Sequence, residues 1–186
     1  MTGPSGAGKG TLIRELLNRV PDLAVTVSAT TRERRPGERD GREYWFLSPE
    51  DFGARIVRDE FLEHVDYVSG HRYGTLRSEL DRIAAEGRVP LLELETEGAL
   101  RVAEKVPGAV TIFILAPVDE LERRLRERAT ESAGEIGERI ELARKQLLQA
   151  GEFDYVVEND ELDHAVGQLA QLVRGLLAPA ATMPQR

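Results

Sequence analysis

The apolar positions of the chain follow two spacings, one typical of buried strands and one typical of helices with one buried face. Short apolar runs such as 110–115 suit buried parallel strands. Elsewhere apolar residues recur every three or four positions, as in the segment 162–177. Strands that alternate with helices predict an α/β fold, in which a parallel sheet carries helices on both faces to make three layers.

The two spacings place the elements along the chain as follows. Helices are predicted at 9–20, 49–59 with Ser48 as N-cap, 76–86, 98–106, 118–128, 136–149 and 162–177. Strands are predicted at 23–28, 44–47, 61–68, around 73, 89–95, 110–115 and 155–157. Polar segments interrupt the α/β pattern at 32–75 and 124–139, where closure over a substrate can occur. Residues 178–186 are predicted to form a disordered tail.

Composition and charge narrow the class of protein. A chain of 186 residues with 41% hydrophobic residues suits one domain with a real core. The net charge of −8 argues against nonspecific nucleic-acid binding. The chain has no cysteine, no apolar run long enough to cross a membrane and no signal-peptide pattern, so a cytoplasmic protein without a membrane partner is expected. Two clusters of arginine suit either a small polyanion such as a nucleotide or two solvated faces: Arg32, Arg34, Arg35 and Arg39, then Arg123, Arg124, Arg126 and Arg128.

A glycine-rich stretch near the amino terminus carries the strongest chemical indication. It is Gly3, Pro4, Ser5, Gly6, Ala7, Gly8, Lys9, Gly10 and Thr11. It fits the phosphate-binding pattern G-x-x-x-x-G-K-[ST] except at Gly10, so the first hydroxyl comes one residue late. Backbone N–H groups of such a loop surround phosphate oxygens, and the positive end of the next helix points at them. The alternative is a glycine-rich turn that caps a helix, with Lys9 on the surface.

Only Met1 and Thr2 precede this stretch, whereas a phosphate loop normally follows a buried strand. The first strand of such a fold lies in the middle of the sheet, so its neighbours would lose backbone partners without it. We therefore predict that the first core strand is missing from the chain as given, which would then start late. The alternative is a protein that tolerates a gap in its sheet.

Several motifs in the correct order make the chain resemble guanylate kinases from end to end, apart from the missing first strand. The resemblance rests on the glycine-rich loop, on 28–32, on 35–38 and 41–44, on 61–63, on 73–75 and on Arg139. It implies a phosphate-loop kinase with an α+β nucleotide-acceptor insertion at 32–75 and a helical lid at 124–139, on a core of 1–31, 76–123 and 140–177. The implied reaction is ATP + GMP ⇌ ADP + GDP, with Mg²⁺ bound to ATP and with GMP, or dGMP, as acceptor. A monomer or small homo-oligomer is expected.

The resemblance also implies roles for particular residues around ATP. Residues 3–11 hold its phosphates, and Lys9 neutralises charge on the β- and γ-phosphates. Arg124, Arg128 and Arg139 resemble the lid arginines that stabilise the transferred phosphoryl group. Asn159 corresponds to a position near adenine, and Thr11 is the side chain available to Mg²⁺. Ala129 stands where the family has glycine, which affects hinging of the lid.

Further residues correspond to the GMP site. Arg32, Arg35, Tyr44 and Tyr73 resemble the clamp on its phosphate, with Ser28 nearby; the tyrosines can also be packing residues and Ser28 a turn cap. Glu63 and Thr75 resemble the pair that reads guanine, because a carboxylate accepts from groups that adenine lacks. Glu95 corresponds to a further GMP-binding carboxylate, although Glu93 and Glu95 replace a family Asp-x-Asp pattern.

Two other functions compete with this one. Guanylate-kinase-like domains of scaffolding proteins bind peptides, but they tend to lose the phosphate loop that this chain keeps. A kinase for another monophosphate or for a phosphorylated sugar is the second alternative. Glu63 and Thr75 argue against it.

Overall fold

A computed structural model describes residues 1–66, 70–127 and 133–178 of the chain. The helices in these ranges are α1 (Lys9–Arg19), α2 (Pro49–Val57), α3 (Arg77–Ala85), α4 (Thr96–Lys105), α5 (Val118–Glu127), α6 (Ala133–Leu148) and α7 (Leu162–Leu177). The strands are β1 (Leu23–Val25), β2 (Ala29–Thr30), β3 (Trp45–Phe46), β4 (Phe61–Asp66), β5 (Arg72–Leu76), β6 (Val89–Leu91), β7 (Ile112–Leu115) and β8 (Tyr155–Glu158). None of the helices described is both long and apolar enough to cross a membrane.

The core sheet is built from two parallel pairs, β1 with β6 and β7 with β8. Met1 and Thr2 lie between the pairs: Thr2 bonds to β7, and Met1 bonds to the segment that follows β6. Thr2 N–H donates to Ile112 O at 2.9 Å, and Ile114 N–H donates to Thr2 O at 2.7 Å. On the other side, Leu94 N–H donates to Met1 O at 3.1 Å. A cavity of about 370 Å³ with a mainly apolar lining lies beside these two residues.

Alternate side chains of β7 show that helices cover both faces of this sheet. Ile112 and Ile114 are buried in a cluster with apolar residues of α1 and α7. Phe113, fully buried between them in sequence, packs on the opposite face with Ala99 of α4 and with Phe153. The period of two along the strand therefore places α1 and α7 in one layer and α4 in another. This arrangement is the three-layer fold that the sequence predicts.

The insertion has a sheet of its own, with strand order β3-β2-β5-β4. β2 is parallel to β3 and antiparallel to β5, and β5 is antiparallel to β4. The predicted strand 23–28 is therefore wrong at its carboxyl end: it stops at Val25, and the chain then crosses from the core sheet to β2. Likewise, the predicted strand 89–95 ends at Leu91, and α4 begins at Thr96.

Candidate active site

The glycine-rich loop joins Thr2 in the sheet to helix α1. Gly3 has φ of 148°, and a Cβ on it would lie 2.2 Å from Ile114 O, so no side chain fits between the loop and β7. Gly8 is the N-cap of α1 in a left-handed conformation, with φ of 83°. Gly3 thus lets the loop pack directly on the sheet, and Gly8 lets the chain turn from the loop into helix α1. The amino-terminal end of α1, where the positive pole of the helix dipole lies, therefore faces the hollow of the loop.

Lys9 folds back over the loop that precedes it. Its ammonium donates to Gly3 O at 2.6 Å and to Pro4 O at 3.2 Å. The positive charge is thus held at the mouth of the loop by carbonyl oxygens, which an anion can replace. In this position Lys9 lies over the loop and is only partly exposed, as the predicted contact to phosphate requires.

Three predicted residues from distant parts of the chain meet at the same loop. The Arg139 guanidinium donates to Ser5 Oγ, and that of Arg124 donates to Gly6 O at 3.3 Å. Asn159 is buried, and its side-chain amide donates to Ala7 O at 2.7 Å. A cleft of about 300 Å³ beside the loop is lined by Gly6, Gly8, Thr11, Arg124, Glu127, Asn159 and Leu162. Arg128 and Ala129 lie outside the described residues.

A second cluster of basic and aromatic side chains lies in the insertion. The Arg32 guanidinium lies 5.4 Å from the ring centre of Tyr44, and that ring lies edge-on to Tyr73 with centroids 5.9 Å apart. Arg32 also donates to Glu38 Oε1 at 2.7 Å, and the backbone N–H of Arg35 donates to Glu38 Oε2 at 2.8 Å. Burial raises the pKa of the Tyr44 phenol, so it stays a neutral donor. The residues predicted to form the phosphate clamp thus lie together around Arg32, with the exposed Arg35 at the edge of the cluster, and their role stays a prediction.

Glu63 and Thr75 are brought together across the antiparallel pair β4 and β5. Thr75 Oγ1 donates to Glu63 Oε1 at 2.9 Å, and both residues are buried. Burial raises the pKa of the Glu63 carboxyl, and the hydrogen bonds from Thr75 only partly oppose that shift. A buried carboxylate with one oxygen already paired is suited to accept hydrogen bonds from a planar ligand.

The remaining carboxylates follow strand β6. Glu95 is the N-cap residue of α4, and Gln146 of α6 donates to Glu95 Oε2 at 3.5 Å. Glu93 interacts electrostatically with Tyr44 in the insertion and with the Met1 ammonium beside the loop. No cluster of three or more His, Asp or Glu side chains suited to a metal ion occurs within 1–66, 70–127 and 133–178.

Two residues with clear structural roles in the acceptor region have no role in the sequence interpretation. Glu38 joins Arg32 to the backbone of Arg35. Glu79 of α3 is buried and accepts from Val27 N–H and from the Trp45 indole. The alternation of charge around Arg35 indicated ion pairing for Glu38. Nothing local distinguishes Glu79 from an exposed helical glutamate.

The two regions described above are suited to bind anions by different means, one through loop backbone with Arg124 and Arg139 and the other through arginine and tyrosine side chains. A molecule with both regions on a three-layer α/β core can hold two phosphorylated substrates at once. The fold and the site therefore define a phosphate-loop kinase.

Comparison with known proteins identifies the family. The family model of guanylate kinase matches residues 1–176, so the chain belongs to the guanylate kinase family, whose members are ATP-dependent kinases of GMP. The guanylate kinase of Synechococcus elongatus is 46% identical over 170 residues, which cover 91% of this chain and 92% of the relative. The guanylate kinase of Aromatoleum aromaticum is 47% identical over 175 residues, which cover 94% of this chain and 85% of the relative.

A solved structure supports the same assignment. The crystal structure of guanylate kinase from Anaplasma phagocytophilum superposes with a TM-score of 0.72 at 27% identity, over 94% of this chain and 82% of that one. The predicted family, fold class and kinase activity are thus confirmed.

Proposed function

We propose that this chain transfers the γ-phosphate of ATP to GMP by holding ATP on the glycine-rich loop and GMP in the insertion. The observation that carries the proposal is the joint presence of two sites. Lys9 and Arg139 converge on the loop, while Arg32 and the buried Glu63–Thr75 pair occupy the insertion. Phosphoryl transfer needs little covalent chemistry from a protein, so positioning and positive charge account for most of the catalysis.

The donor site consists of residues 3–11 with Arg124 and Arg139, and we include Arg128 by its place in the lid. Backbone N–H groups of the loop bind the phosphates, and Lys9 exchanges Gly3 O and Pro4 O for the β- and γ-phosphate oxygens. Arg124 and Arg139 already contact the loop, so they approach the γ-phosphate without a long movement. Asn159 lies under the loop, where it fixes Ala7 next to the phosphates.

The donor set near the loop fits Mg²⁺, which prefers oxygen ligands and keeps several of its waters. Thr11 lines the cleft beside the loop, and Glu93 and Glu95 are exposed at the end of β6. Thr11 would take the position of the hydroxyl that Gly10 lacks, and the two carboxylates would hold coordinated water. Mg²⁺ would neutralise charge on the β- and γ-phosphates of ATP.

The acceptor site divides into a phosphate part and a base part. Arg32, Arg35, Tyr44 and Tyr73 bind the GMP phosphate, and Ser28 lies at the strand junction behind them. Glu63 accepts from guanine N1–H and the 2-amino group, Thr75 orients that carboxylate, and we include Glu95 as a further carboxylate of the GMP site by its place in the sequence. The substrates are free nucleotides, so we expect a cytoplasmic enzyme without a nucleic-acid or membrane partner.

The test is GMP-dependent formation of ADP in a coupled assay, with AMP, UMP and TMP as controls. Activity with GMP and not with the controls is the expected result. Absence of GMP-dependent ADP formation from the folded protein would contradict the proposal. Calorimetry separates the kinase from a peptide-binding module, because the kinase binds both ATP and GMP, whereas the module ignores ATP.

A further inference from the structure

Glu79 of helix α3 holds a buried carboxylate that accepts hydrogen bonds from three different parts of the chain. Its Oε1 accepts from the Trp45 indole at 3.2 Å, and its Oε2 accepts from Val27 N–H at 2.7 Å. Arg82, one turn further along α3, donates to both oxygens at 3.0 and 2.9 Å. Only 2% of the residue is exposed. Burial favours the neutral acid, but the hydrogen bonds from Arg82, Val27 and Trp45 outweigh it and leave the pKa of Glu79 below its ordinary value.

The donors lie where the insertion leaves the core. Val27 belongs to the crossing between β1 of the core sheet and β2 of the insertion sheet, and Trp45 opens β3. The backbone N–H of Trp45 also donates to Ser28 O at 2.9 Å, so the two segments are bonded to each other as well as to Glu79. The residue before Trp45 is Tyr44, which packs against Arg32 and Tyr73 in the acceptor cluster.

We propose that Glu79 is a positioning residue of the acceptor site: its carboxylate ties the crossing at Val27 to Trp45 and so sets Tyr44 and Ser28 for the acceptor phosphate. This inference rests on the acceptor site proposed above. One oxygen of Glu79 accepts from the crossing at Val27, and the other accepts from Trp45 at the start of β3. A carboxylate can do this in either orientation, whereas an amide cannot. Glutamine at this position has one acceptor oxygen and would turn an N–H group toward either Val27 N–H or the indole N–H.

The test is the substitution Glu79→Gln, which keeps the volume of the side chain. We expect the KM for GMP to rise about tenfold, as the loss of a hydrogen bond to a buried charged group would give, while the KM for ATP stays within about twofold. The matched control is Glu86→Gln, because Glu86 pairs with the same Arg82 at 2.9 Å from an exposed position. The control should change neither constant. Equal rises for both substrates in Glu79→Gln, or no rise, would overturn the proposal.

Trp45 is the single tryptophan of the chain, so its fluorescence reports this contact directly. Glu79→Gln should change its emission spectrum and reduce the change that GMP produces, whereas Glu86→Gln should alter neither. Unchanged emission would contradict the contact. If Glu79→Gln does not fold, Trp45→Phe carries the test, because it removes the indole donor and keeps an aromatic ring at this position. A selective rise of about threefold in the KM for GMP would support the proposal, and no rise would overturn it.

Arg32→Ala separates a failure of this inference from a failure of the proposed acceptor site. If Arg32→Ala raises the KM for GMP and Glu79→Gln does not, the acceptor cluster stands and the positioning role of Glu79 falls. If Arg32→Ala leaves the KM for GMP unchanged, the acceptor site itself is misplaced, and the positioning role that rests on it falls too.

Discussion

Thr75 Oγ1 donates a 2.9 Å hydrogen bond to Glu63 Oε1 within the buried part of the insertion sheet. The bond fixes one carboxylate oxygen of Glu63, while the other faces Gly98, where a Cβ would lie 3.3 Å from Oε2. The absence of a side chain at Gly98 leaves that oxygen room for a ligand. The base recognition proposed for Glu63 thus rests on a carboxylate held by β5 and given space by α4.

Substitution of Glu63 should therefore separate the two substrates. In Glu63→Gln the amide presents one acceptor fewer to guanine, so the KM for GMP should rise about 10- to 100-fold, with the KM for ATP within about twofold. Glu60→Gln is the control, since Glu60 lies just before the same strand in an ion pair with Arg55 and Arg58. Steady-state kinetics with each nucleotide varied in turn measures the difference. Equal effects on both nucleotides would contradict the role of Glu63.

The pKa of Glu63 gives a second prediction. Burial raises that pKa above its ordinary 4.5, and only the ionised carboxylate accepts two hydrogen bonds from guanine. The KM for GMP should rise as the pH falls toward this raised pKa, and Glu63→Gln should lose that dependence. The carboxyl binds protons more tightly in the folded state, so its contribution to folding stability is fully present below pH 4.5 and is lost as the pH rises through the raised pKa. Chemical denaturation of the two proteins at several pH values checks the sign: Glu63→Gln should gain relative stability as the pH rises.

Arg139 tests the lid. Its guanidinium contacts Ser5 of the loop. Arg139→Ala should lower kcat about 10²- to 10³-fold, because it removes a positive charge that stabilises the transferred phosphoryl group. Arg144→Ala is the control on the same helix, because Arg144 pairs with Glu122 and Glu141 at the surface. The control should keep kcat within about twofold. A similar loss in both variants would mean that Arg139 supports the helix and not the chemistry.

Two glycines of the loop should respond in opposite ways to alanine. Gly3→Ala places a Cβ 2.2 Å from Ile114 O at a positive φ, so we expect a loss of about 3 kcal/mol in the free energy of unfolding, together with loss of ATP binding. Gly10 lies in the first turn of α1 with nothing within 4 Å of its Cβ position. Gly10→Ala should be tolerated and should gain up to about 1 kcal/mol from helix propensity. Urea denaturation of both variants decides the matter; equal destabilisation would contradict the asymmetry.

Substitution of Asn159 should weaken both ATP binding and folding stability. Asn159→Ala leaves Ala7 O buried without its 2.7 Å donor, at a cost of about 1–3 kcal/mol, and loosens the loop that binds phosphate. The KM for ATP should rise severalfold more than the KM for GMP. Asn18→Ala, at an exposed position on α1, is the control and should change neither. A selective effect on GMP would refute this placement.

The sequence predicted the phosphate loop well because its function depends on local geometry. Glycine spacing and the helix that follows it are readable from consecutive residues, and Lys9 lies where the pattern places it. The pairing of Glu63 with Thr75 depends instead on strand register, which the family resemblance supplied and periodicity alone did not.

The predicted strand 23–28 is wrong at its carboxyl end because backbone pairing between distant segments overrides the local pattern of apolar and polar residues. The run 23–28 alternates like one strand, yet Val27 N–H bonds to Glu79 and β2 pairs with β5, so the run is shared between two sheets. The buried, hydrogen-bonded position of Glu79 could not be predicted from the sequence for the same reason. Two of the partners of Glu79, Val27 and Trp45, lie 52 and 34 residues away in sequence.

Because the core sheet is divided into two pairs, side-chain packing of the helices connects the pairs more extensively than backbone pairing within the sheet does. Backbone bonds through Met1 and Thr2 are a narrow connection between β7 and the segment that follows β6, whereas α1 and α7 pack on apolar residues of both pairs, among them Leu91 and Ile114. The helical layer is thus the continuous one. Unfolding of the two strand pairs is therefore coupled by the side-chain packing of these helices. Amide hydrogens of β6 and β7 should exchange together only while that helical layer is intact.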